Sequence, residues 1–547
     1  MRKSRQVFSK LTLPSRIVVQ RLFLLGFLLA LVCAVSWLGN VSQTAHAHFE
    51  AANWRAKIAP WVWQTAQEGQ TEFLVFLKEQ ADLSAAEALP TKTEKGWYVY
   101  RQLTAIALRT QAPLLEQLRQ RGIPYRSYWV ANLIWVRGDL NDVLALARRR
   151  EVARIVANPT VQLALPPRVE GLAPQGADGI EWNLLQVNAD DVWALGYEGQ
   201  GVVIGGQDTG YDWQHPALKN AYRGWDGSQA NHDYNWHDAI HAPLSASLPV
   251  RTFSPLPVGE GPGVRAANCP YNSPEPCDDD GHGTHTMGTM VGLDGINQIG
   301  MAPKARWIGC RNMDHGWGSP ATYTECFQWF IAPTRIDGSD PNPSLAPDVI
   351  NNSWSCPESE GCKDPNVLNS VVEAVRAAGI LTVQSAGNKG PGCGTISDPA
   401  AIYAASLTVG ATDGADAIAG FSSRGPVTRD GSNRLKPEVV APGVNVRSSV
   451  PGSGYGYKSG TSMAAPHVAG LAALLLSVAP ELKGKPHLIE FLIKSSAKPI
   501  TTSQSCGGVS GNLIPNNTYG WGRIDALAAV QKLPLHHLYI PWVSQAP

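Results

Sequence analysis

An apolar stretch near the end of the chain predicts a buried helix. Almost every residue between Met463 and Val478 is apolar, and no polar face recurs at helical spacing. A helix without a solvated face belongs in the core of a large domain. Ser462 lies in the first turn of this predicted helix, where unpaired backbone N–H groups collect. The pattern fits a serine that caps a core helix as well as it fits a nucleophile within reach of a base.

Short apolar strands alternate with helices over residues 180–533 and predict an α/β domain. The predicted strands span residues 201–207, 306–310, 347–354, 380–384 and 406–410. Strands that are apolar throughout and separated by helices are typical of a doubly wound, mostly parallel sheet flanked by helices. Such sheets bind ligands at the carboxyl ends of their strands. Because Asp208 and Asn388 follow predicted strand ends and Ser353 lies in the polar tip of the 347–354 stretch, we expect all three at one edge of the sheet.

A smaller unit precedes this domain, between residues 70 and 165. It contains strand patterns at 72–77, 128–136 and 152–165, of which the second fits one or two strands, and helical patterns at 103–120 and 141–150. This mixture predicts a small α+β sandwich, which by itself indicates no function. Residues 166–179 are rich in Pro, Gly and Ala and predict an exposed linker that is open to proteolysis.

The first 47 residues have the pattern of a secretory signal. Six Lys and Arg residues precede an apolar run at 22–37, and Ala45-His46-Ala47 offers a small-residue cleavage site. We expect cleavage after Ala47 and secretion, whereas a retained signal would anchor the protein at the cell surface. The remaining segments are a linker at 48–69, a Pro/Gly-rich surface loop at 252–267 and a C-terminal tail at 534–547.

Composition excludes one class of partner and supports export. The 547-residue chain has 45 basic and 45 acidic residues, so its net charge of zero gives no support for a nucleic-acid partner. Eight of its nine cysteines follow the predicted signal, and an even number in an exported chain suggests disulfides. Short loops favour Cys269–Cys277 and Cys356–Cys362, although a sequence does not give connectivity. Zinc is the alternative, and the lack of any Cys-x-x-Cys pair in the sequence weighs against it.

Three motifs supply the groups that acyl transfer requires. Asp208 lies in Gln-Asp-Thr-Gly, His282 in Gly-His-Gly-Thr-His and Ser462 in Gly-Thr-Ser-Met-Ala-Ala-Pro-His. A nucleophile, a base and a carboxylate that orients the base make a catalytic triad. In this order the motifs closely resemble the three signatures of subtilisin-like serine proteases. Asn388, in Ser-Ala-Gly-Asn, resembles the oxyanion asparagine of that family.

The resemblance covers residues 180–530 and is closest to the bacillopeptidase F branch of the family. It implies that Ser462 attacks the scissile carbonyl, that His282 transfers the proton and that Asp208 holds the imidazole. It also implies that the Asn388 side chain stabilises the oxyanion. Two segments would hold an extended peptide by backbone pairing, and they comprise Ser353, Trp354, Ser355, Ser385, Ala386 and Gly387. The sequence therefore predicts a monomeric secreted serine endopeptidase that cleaves proteins and peptides and requires no cofactor for the chemistry.

The resemblance extends to the small unit at 70–165, which is similar to the inhibitor-type propeptide of the family. It would serve as inhibitor and as folding partner, because a parallel sheet with long-range contacts folds slowly. The precursor is expected to cut itself between Leu165 and Ile180. The strongest calcium site of the family is not expected here, because Ala217 replaces its aspartate. Structural calcium elsewhere stays open.

Several alternatives remain at this point. The chain could be a catalytically idle binding protein that keeps the subtilase fold. A sedolisin-type peptidase would need a glutamate base, which His282 disfavours, and an esterase would normally carry a Gly-x-Ser-x-Gly elbow that is absent around Ser462. Taken one by one, Asp208 and Asn388 could form turns, and His282 could ligate a metal together with His285.

Overall fold

Two larger sheets, one antiparallel and one parallel, organise the chain. The computed structural model describes residues 54–166, 176, 179–244 and 269–533. The chain divides into two compact units, Met1–Ile58 and Ala59–Pro547, and the described residues of the first form a single 3-10 turn, Trp54–Lys57. The predicted signal, most of the predicted linker after Pro166, the 252–267 loop and the C-terminal tail lie outside the described residues.

The N-terminal domain, residues 59–166, is built on an antiparallel sheet of strand order β2–β3–β1–β4. Its elements are α1 Pro60–Glu68, β1 Thr71–Leu77, α2 Lys92–Gln120, β2 Tyr125–Tyr128, β3 Leu133–Gly138, α3 Leu140–Ala147 and β4 Val152–Ala157. Phe73 and Val75 of the central strand are fully buried. The α+β arrangement predicted for this unit is therefore present.

Helix α2 begins eleven residues before the predicted helix at 103–120, at Lys92. Thr91 and Glu94 close its first turn as a capping box, a Thr-x-x-Glu signal that the sequence displays. Apolar spacing missed this part because the buried face there is polar. Lys95 donates to Gly484 O at 2.9 Å, and a Cβ on Gly96 would lie 3.2 Å from Pro343 Cβ. The first turns of α2 therefore pack on the large domain instead of on their own sheet.

The large domain, residues 179–533, contains a seven-stranded sheet of order β14–β13–β12–β11–β6–β8–β7. All six strand pairings are parallel, as the sequence predicted. These strands are β6 Val203–Asp208, β7 Trp236–Asp238, β8 Arg306–Arg311, β11 Val349–Asn352, β12 Leu381–Ser385, β13 Leu407–Thr412 and β14 Val439–Pro442. Three short strands form a separate sheet, namely β5 Val161–Gln162, β9 Met313–Asp314 and β10 Trp317–Gly318, and β15 Val446–Val450 pairs with β16 Gly454–Lys458.

Helices cover both faces of the parallel sheet. They are α4 Trp182–Gln186, α5 Ala189–Ala194, α6 Pro216–Lys219, α7 His282–Val291, α8 Pro320–Ile331, α9 Asn369–Ala377, α10 Thr461–Val478, α11 Pro486–Ser496 and α12 Ala526–Gln531. Helix α10 is the apolar stretch predicted to be a core helix, and it packs on α7 and on strands β11 to β14. Among the described residues, α10 alone is long and apolar enough to cross a membrane, with a mean hydropathy of 1.5, but 94% of it is buried inside the protein.

Four disulfides join the eight cysteines of the large domain. The two short pairs favoured by the sequence, Cys269–Cys277 and Cys356–Cys362, are both present. Cys310–Cys326 joins strand β8 to helix α8, and Cys393–Cys506 closes a separation of 113 residues. Because every one of these thiols is paired, none is available as a zinc ligand.

Candidate active site

Asp208 and His282 form a buried pair at the carboxyl edge of the sheet. Asp208 is the last residue of β6, and His282 is the first residue of α7. His282 Nδ1 lies 2.7 Å from Asp208 Oδ1, and both side chains are at most 1% exposed. Since a carboxylate only accepts hydrogen bonds, the proton lies on Nδ1. Nε2 is then free to act as a base, and it has no hydrogen-bond partner among the described residues.

Glycine at position 283 lets α7 approach the strand that carries Asp208. A Cβ on Gly283 would lie 2.0 Å from Gly210 O and 3.1 Å from Asp208 Cβ. Two further groups hold the carboxylate, because Thr209 N donates to Oδ1 at 2.8 Å and Thr286 Oγ1 donates to Oδ2 at 3.3 Å. The small residues after His282 therefore fix the distance between carboxylate and imidazole.

Ser462 lies in the first turn of α10 and is 3% exposed. Its Oγ donates to Ser353 O at 3.2 Å, and Ser353 Oγ donates back to Ser462 O at 3.1 Å. The hydroxyl makes no hydrogen bond to His282, although α7 and α10 pack against each other. The structure thus brings the carboxylate and the imidazole together, whereas Ser462 Oγ is hydrogen-bonded to Ser353 O instead of to His282.

Asn388 connects the turn of Ser462 to a peptide carbonyl. Its Oδ1 accepts hydrogen bonds from Thr461 N at 2.9 Å and from Thr461 Oγ1 at 3.0 Å, and this fixes which end of the amide points away from α10. The Nδ2 end donates to Ala164 O at 3.1 Å. An amide donor directed at a peptide carbonyl beside a serine is the geometry of an oxyanion site.

The predicted substrate-binding residues surround this turn. Gly387 N donates to Thr461 Oγ1 at 3.1 Å, and Ser385 and Ala386 lead into it from β12. Trp354 is 2% exposed and stacks on Tyr323 with ring centroids 3.9 Å apart. The Tyr323 hydroxyl donates to Ser355 O at 3.4 Å. Trp354 and Tyr323 therefore form a packed aromatic wall beside the segments predicted to hold substrate.

One part of the site was predicted only in outline, because residues 152–165 were expected as a single strand and its partner β10 was not predicted. The segment after β4 crosses to the large domain, where β5 pairs in antiparallel fashion with β10, Val161 opposite Gly318 and Gln162 opposite Trp317. Leu163 N then donates to Gly316 O at 2.8 Å. Two-residue strands are too short to show periodicity. The glycines that flank Trp317 were the available signal, because they mark places where another backbone approaches closely.

His282 and His285 do not share a metal ligand geometry. His285 Nε2 contacts Val446 O and Gly456 O at 3.1 and 3.2 Å, and burial lowers the pKa of His285 well below its usual value. Among the described residues, one group of three side chains is close enough to share a metal ion, Asp279, Asp314 and His315. The Arg311 guanidinium donates to both of these carboxylates and already supplies a positive charge there.

A guanidinium also contacts residues 293–300, the loop of the calcium site that the family resemblance implies. Arg447 Nη2 donates to Asn297 Oδ1 at 2.9 Å, and its Nη1 lies 2.7 Å from Glu181 Oε1. Although burial opposes it, hydrogen bonds from Tyr455 and Asn297 lower the pKa of Asp294 in this loop to about 2. With Ala217 in place of a carboxylate, the donor set does not fit a calcium ion.

The fold and the site define a subtilisin-like serine protease domain. The Subtilase family profile matches residues 199–522, and the chain belongs to that family. It is 36% identical over 469 residues to bacillopeptidase F of Bacillus subtilis strain 168, covering 82% of this chain and 29% of that protein. It is 27% identical over 411 residues to subtilisin E of the same strain, covering 74% of this chain and 87% of the relative. Serine protease AprX of that strain is 34% identical over 266 residues, 44% of this chain and 58% of AprX.

Proposed function

We propose that this protein is a serine endopeptidase that hydrolyses peptide bonds in proteins through an acyl-enzyme. The observation that carries the proposal is the position of Asn388, which binds the Ser462 turn with one end of its amide and a peptide carbonyl with the other. The buried Asp208–His282 pair supports it, because the hydrogen bond from Nδ1 orients the imidazole and Nε2 has no other hydrogen-bond partner among the described residues. Membership of a family of serine proteases agrees with this chemistry.

In the proposed mechanism each side chain has one task. Ser462 Oγ attacks the carbonyl carbon while His282 Nε2 takes its proton, and Asp208 stabilises the imidazolium that forms. The Asn388 amide stabilises the negative charge that develops on the carbonyl oxygen. His282 then protonates the leaving amine, and water hydrolyses the acyl ester by the reverse path. No cofactor takes part in these steps.

We infer that the N-terminal domain is a propeptide that inhibits and helps to fold the protease. Its β5 strand pairs with β10 beside the site, and Lys92 Nζ pairs with Asp348 Oδ1 at 2.7 Å across the interface. We further propose that the protein is a monomer, secreted after cleavage behind Ala47. The four disulfides support secretion, because disulfides persist in oxidising compartments. Proteins and peptides are the proposed partners, and nucleic acids are not.

A fluorophosphonate probe tests the proposed function against an idle subtilase-fold binding protein. The wild-type protein should label on Ser462, hydrolyse casein and separate from its N-terminal domain. The Ser462→Ala variant should do none of these and stay at full length. A folded wild-type protein that neither labels nor hydrolyses casein would contradict the proposal.

A further inference from the structure

The segment 161–166 runs through the site in the manner of a bound peptide. Its first two residues pair with β10, and Leu163 N donates to Gly316 O at 2.8 Å, so the pairing continues up to Leu163. Backbone pairing of this kind is how a protein edge holds an extended peptide without regard to its sequence. The register therefore decides which carbonyl reaches the catalytic residues.

Ala164 is the residue whose carbonyl reaches them. Asn388 Nδ2 donates to Ala164 O at 3.1 Å, while Asn388 Oδ1 is bound to the residue before Ser462. The two residues that follow continue past the same turn, since a Cβ on Gly460 would lie 3.6 Å from both Leu165 Cδ2 and Pro166 Cδ. The peptide bond after Ala164 thus lies between a paired strand on one side and the serine turn on the other.

The side chains on either side of this bond agree with cleavage there. Val161, three residues before Ala164, is fully buried in the cluster that includes Tyr323 and Trp354. The next bond along, Leu165–Pro166, is a tertiary amide, and Pro166 has no N–H. Cleavage after Ala164 releases the ordinary primary amine of Leu165.

We propose that the precursor cuts itself between Ala164 and Leu165, an assignment that rests on the proposed function. Ser462 Oγ bonds to the Ala164 carbonyl carbon, and the bond from that carbon to Leu165 N breaks. The serine proton passes through His282 to Leu165 N, which leaves as the new amino terminus. Water then hydrolyses the Ser462 ester and leaves a carboxylate on Ala164. The bond lies one residue before the interval 165–180 expected from the sequence.

Mass spectrometry of both fragments at their first appearance tests the assignment. The full-length wild-type chain should give one fragment that ends at Ala164 and one that begins at Leu165, and Ser462→Ala should give neither. This inference alone is overturned if the wild-type protein hydrolyses casein but its first two fragments meet at another bond. The same holds if it hydrolyses casein and stays intact. Wild-type protein that neither labels with a fluorophosphonate nor is cut overturns the proposed function as well.

A pair of variants tests the register independently of the fragment masses. Val161→Asp places a charge in the buried position and should slow the appearance of fragments about tenfold or more, because an unpaired charge is costly to bury. Gln102→Asp adds the same charge at an exposed position on α2 and should leave the rate unchanged. Equal rates for the two variants would contradict the register.

Discussion

Single side chains in this site have more than one partner, and Asn388 is the clearest case. Its carbonyl end accepts two hydrogen bonds from Thr461, so its amino end has one remaining direction, toward Ala164 O. The sequence could suggest the residue through its motif. Only the structure shows that the amide is oriented by Thr461, the residue next to Ser462.

Removal of this donor gives the first prediction. Asn388→Leu should lower kcat on a peptide substrate about 10²- to 10³-fold and change KM little, because the donor acts on charge that develops in the transition state. Steady-state kinetics of the mature protein measure this, with Asn512→Leu, an exposed asparagine, as control. A rise in KM at constant kcat would mean that Asn388 only binds substrate.

The aromatic wall beside the site gives a second prediction at this scale. Tyr323 packs closely on Gly318, the residue opposite Val161, and Trp354 stacks on Tyr323, so we expect little room for a large side chain three residues before the proposed scissile bond. Trp354→Leu should raise kcat/KM for Phe relative to Val at that position about tenfold or more. Matched peptides measure the ratio, and Trp521→Leu, at a half-exposed tryptophan, should leave it unchanged. A ratio unaffected by Trp354→Leu would exclude this wall from specificity.

At the scale of elements, the sequence predicted those whose pattern is long and apolar. Helix α10 and the parallel strands follow from continuous apolar runs, and the site lies at the strand ends for that reason. The N-terminal turns of α2 and the two-residue strand β10 were missed, and the strand predicted at 152–165 is divided into β4 and β5. Their contacts are made by Lys95, by glycines and by backbone groups, which leave no periodicity.

The loop held by Arg447 leads to a prediction at the scale of elements. Arg447 links Glu181, ahead of α4, to Asn297, so Arg447→Met should lower the melting temperature by leaving both partners without their donor. We expect the same loss with and without a chelator, because the guanidinium supplies the positive charge of this loop. Scanning calorimetry of the Ser462→Ala form avoids self-digestion. If a chelator lowered the melting temperature of the Ser462→Ala form and Arg447→Met abolished that effect, the loop would bind a cation instead.

At the scale of the whole molecule, the described residues from 59 onward form two domains, and charged and polar groups make part of the interface between them. Lys92 pairs with Asp348 at 2.7 Å, Arg154 pairs with Asp364, and Tyr128 donates to Glu325 at 3.0 Å. Such contacts between distant parts of the chain cannot be read from one sequence, although each domain separately could be predicted. The interface also buries apolar side chains of both domains in one shared cluster.

Glu325, which accepts a hydrogen bond from Tyr128 of the N-terminal domain, also contacts two histidines. Its Oε1 accepts from His237 Nε2 at 3.0 Å and from His241 Nε2 at 2.7 Å. Burial opposes the shift, but hydrogen bonds from both histidines lower the pKa of Glu325. Burial also opposes a rise in the pKa of His241, and the charge of Arg126 lowers it a little further. The hydrogen bond and the charge of Glu325 outweigh both effects and raise the pKa of the imidazole above 6.5.

The signs of these shifts define a pH window for stability. Because its pKa is raised, His241 contributes stability that is complete below pH 6.5, its unfolded-state pKa, and is lost as the pH rises through the folded-state pKa. Because its pKa is lowered, Glu325 contributes stability that is present above pH 4.5 and is lost as the pH falls through the folded-state pKa. His241→Gln should therefore cost the Ser462→Ala precursor most stability between about pH 4.5 and 6.5 and much less at about pH 9. Urea unfolding of this variant at pH 5.5 and 9 measures the difference, with the exposed His487→Gln as control. An equal loss of unfolding free energy at both pH values would mean that His241 contributes only by packing. Because Tyr128 of the N-terminal domain donates to the same carboxylate, it would also mean that the charge of the His241–Glu325 pair does not stabilise this part of the interface.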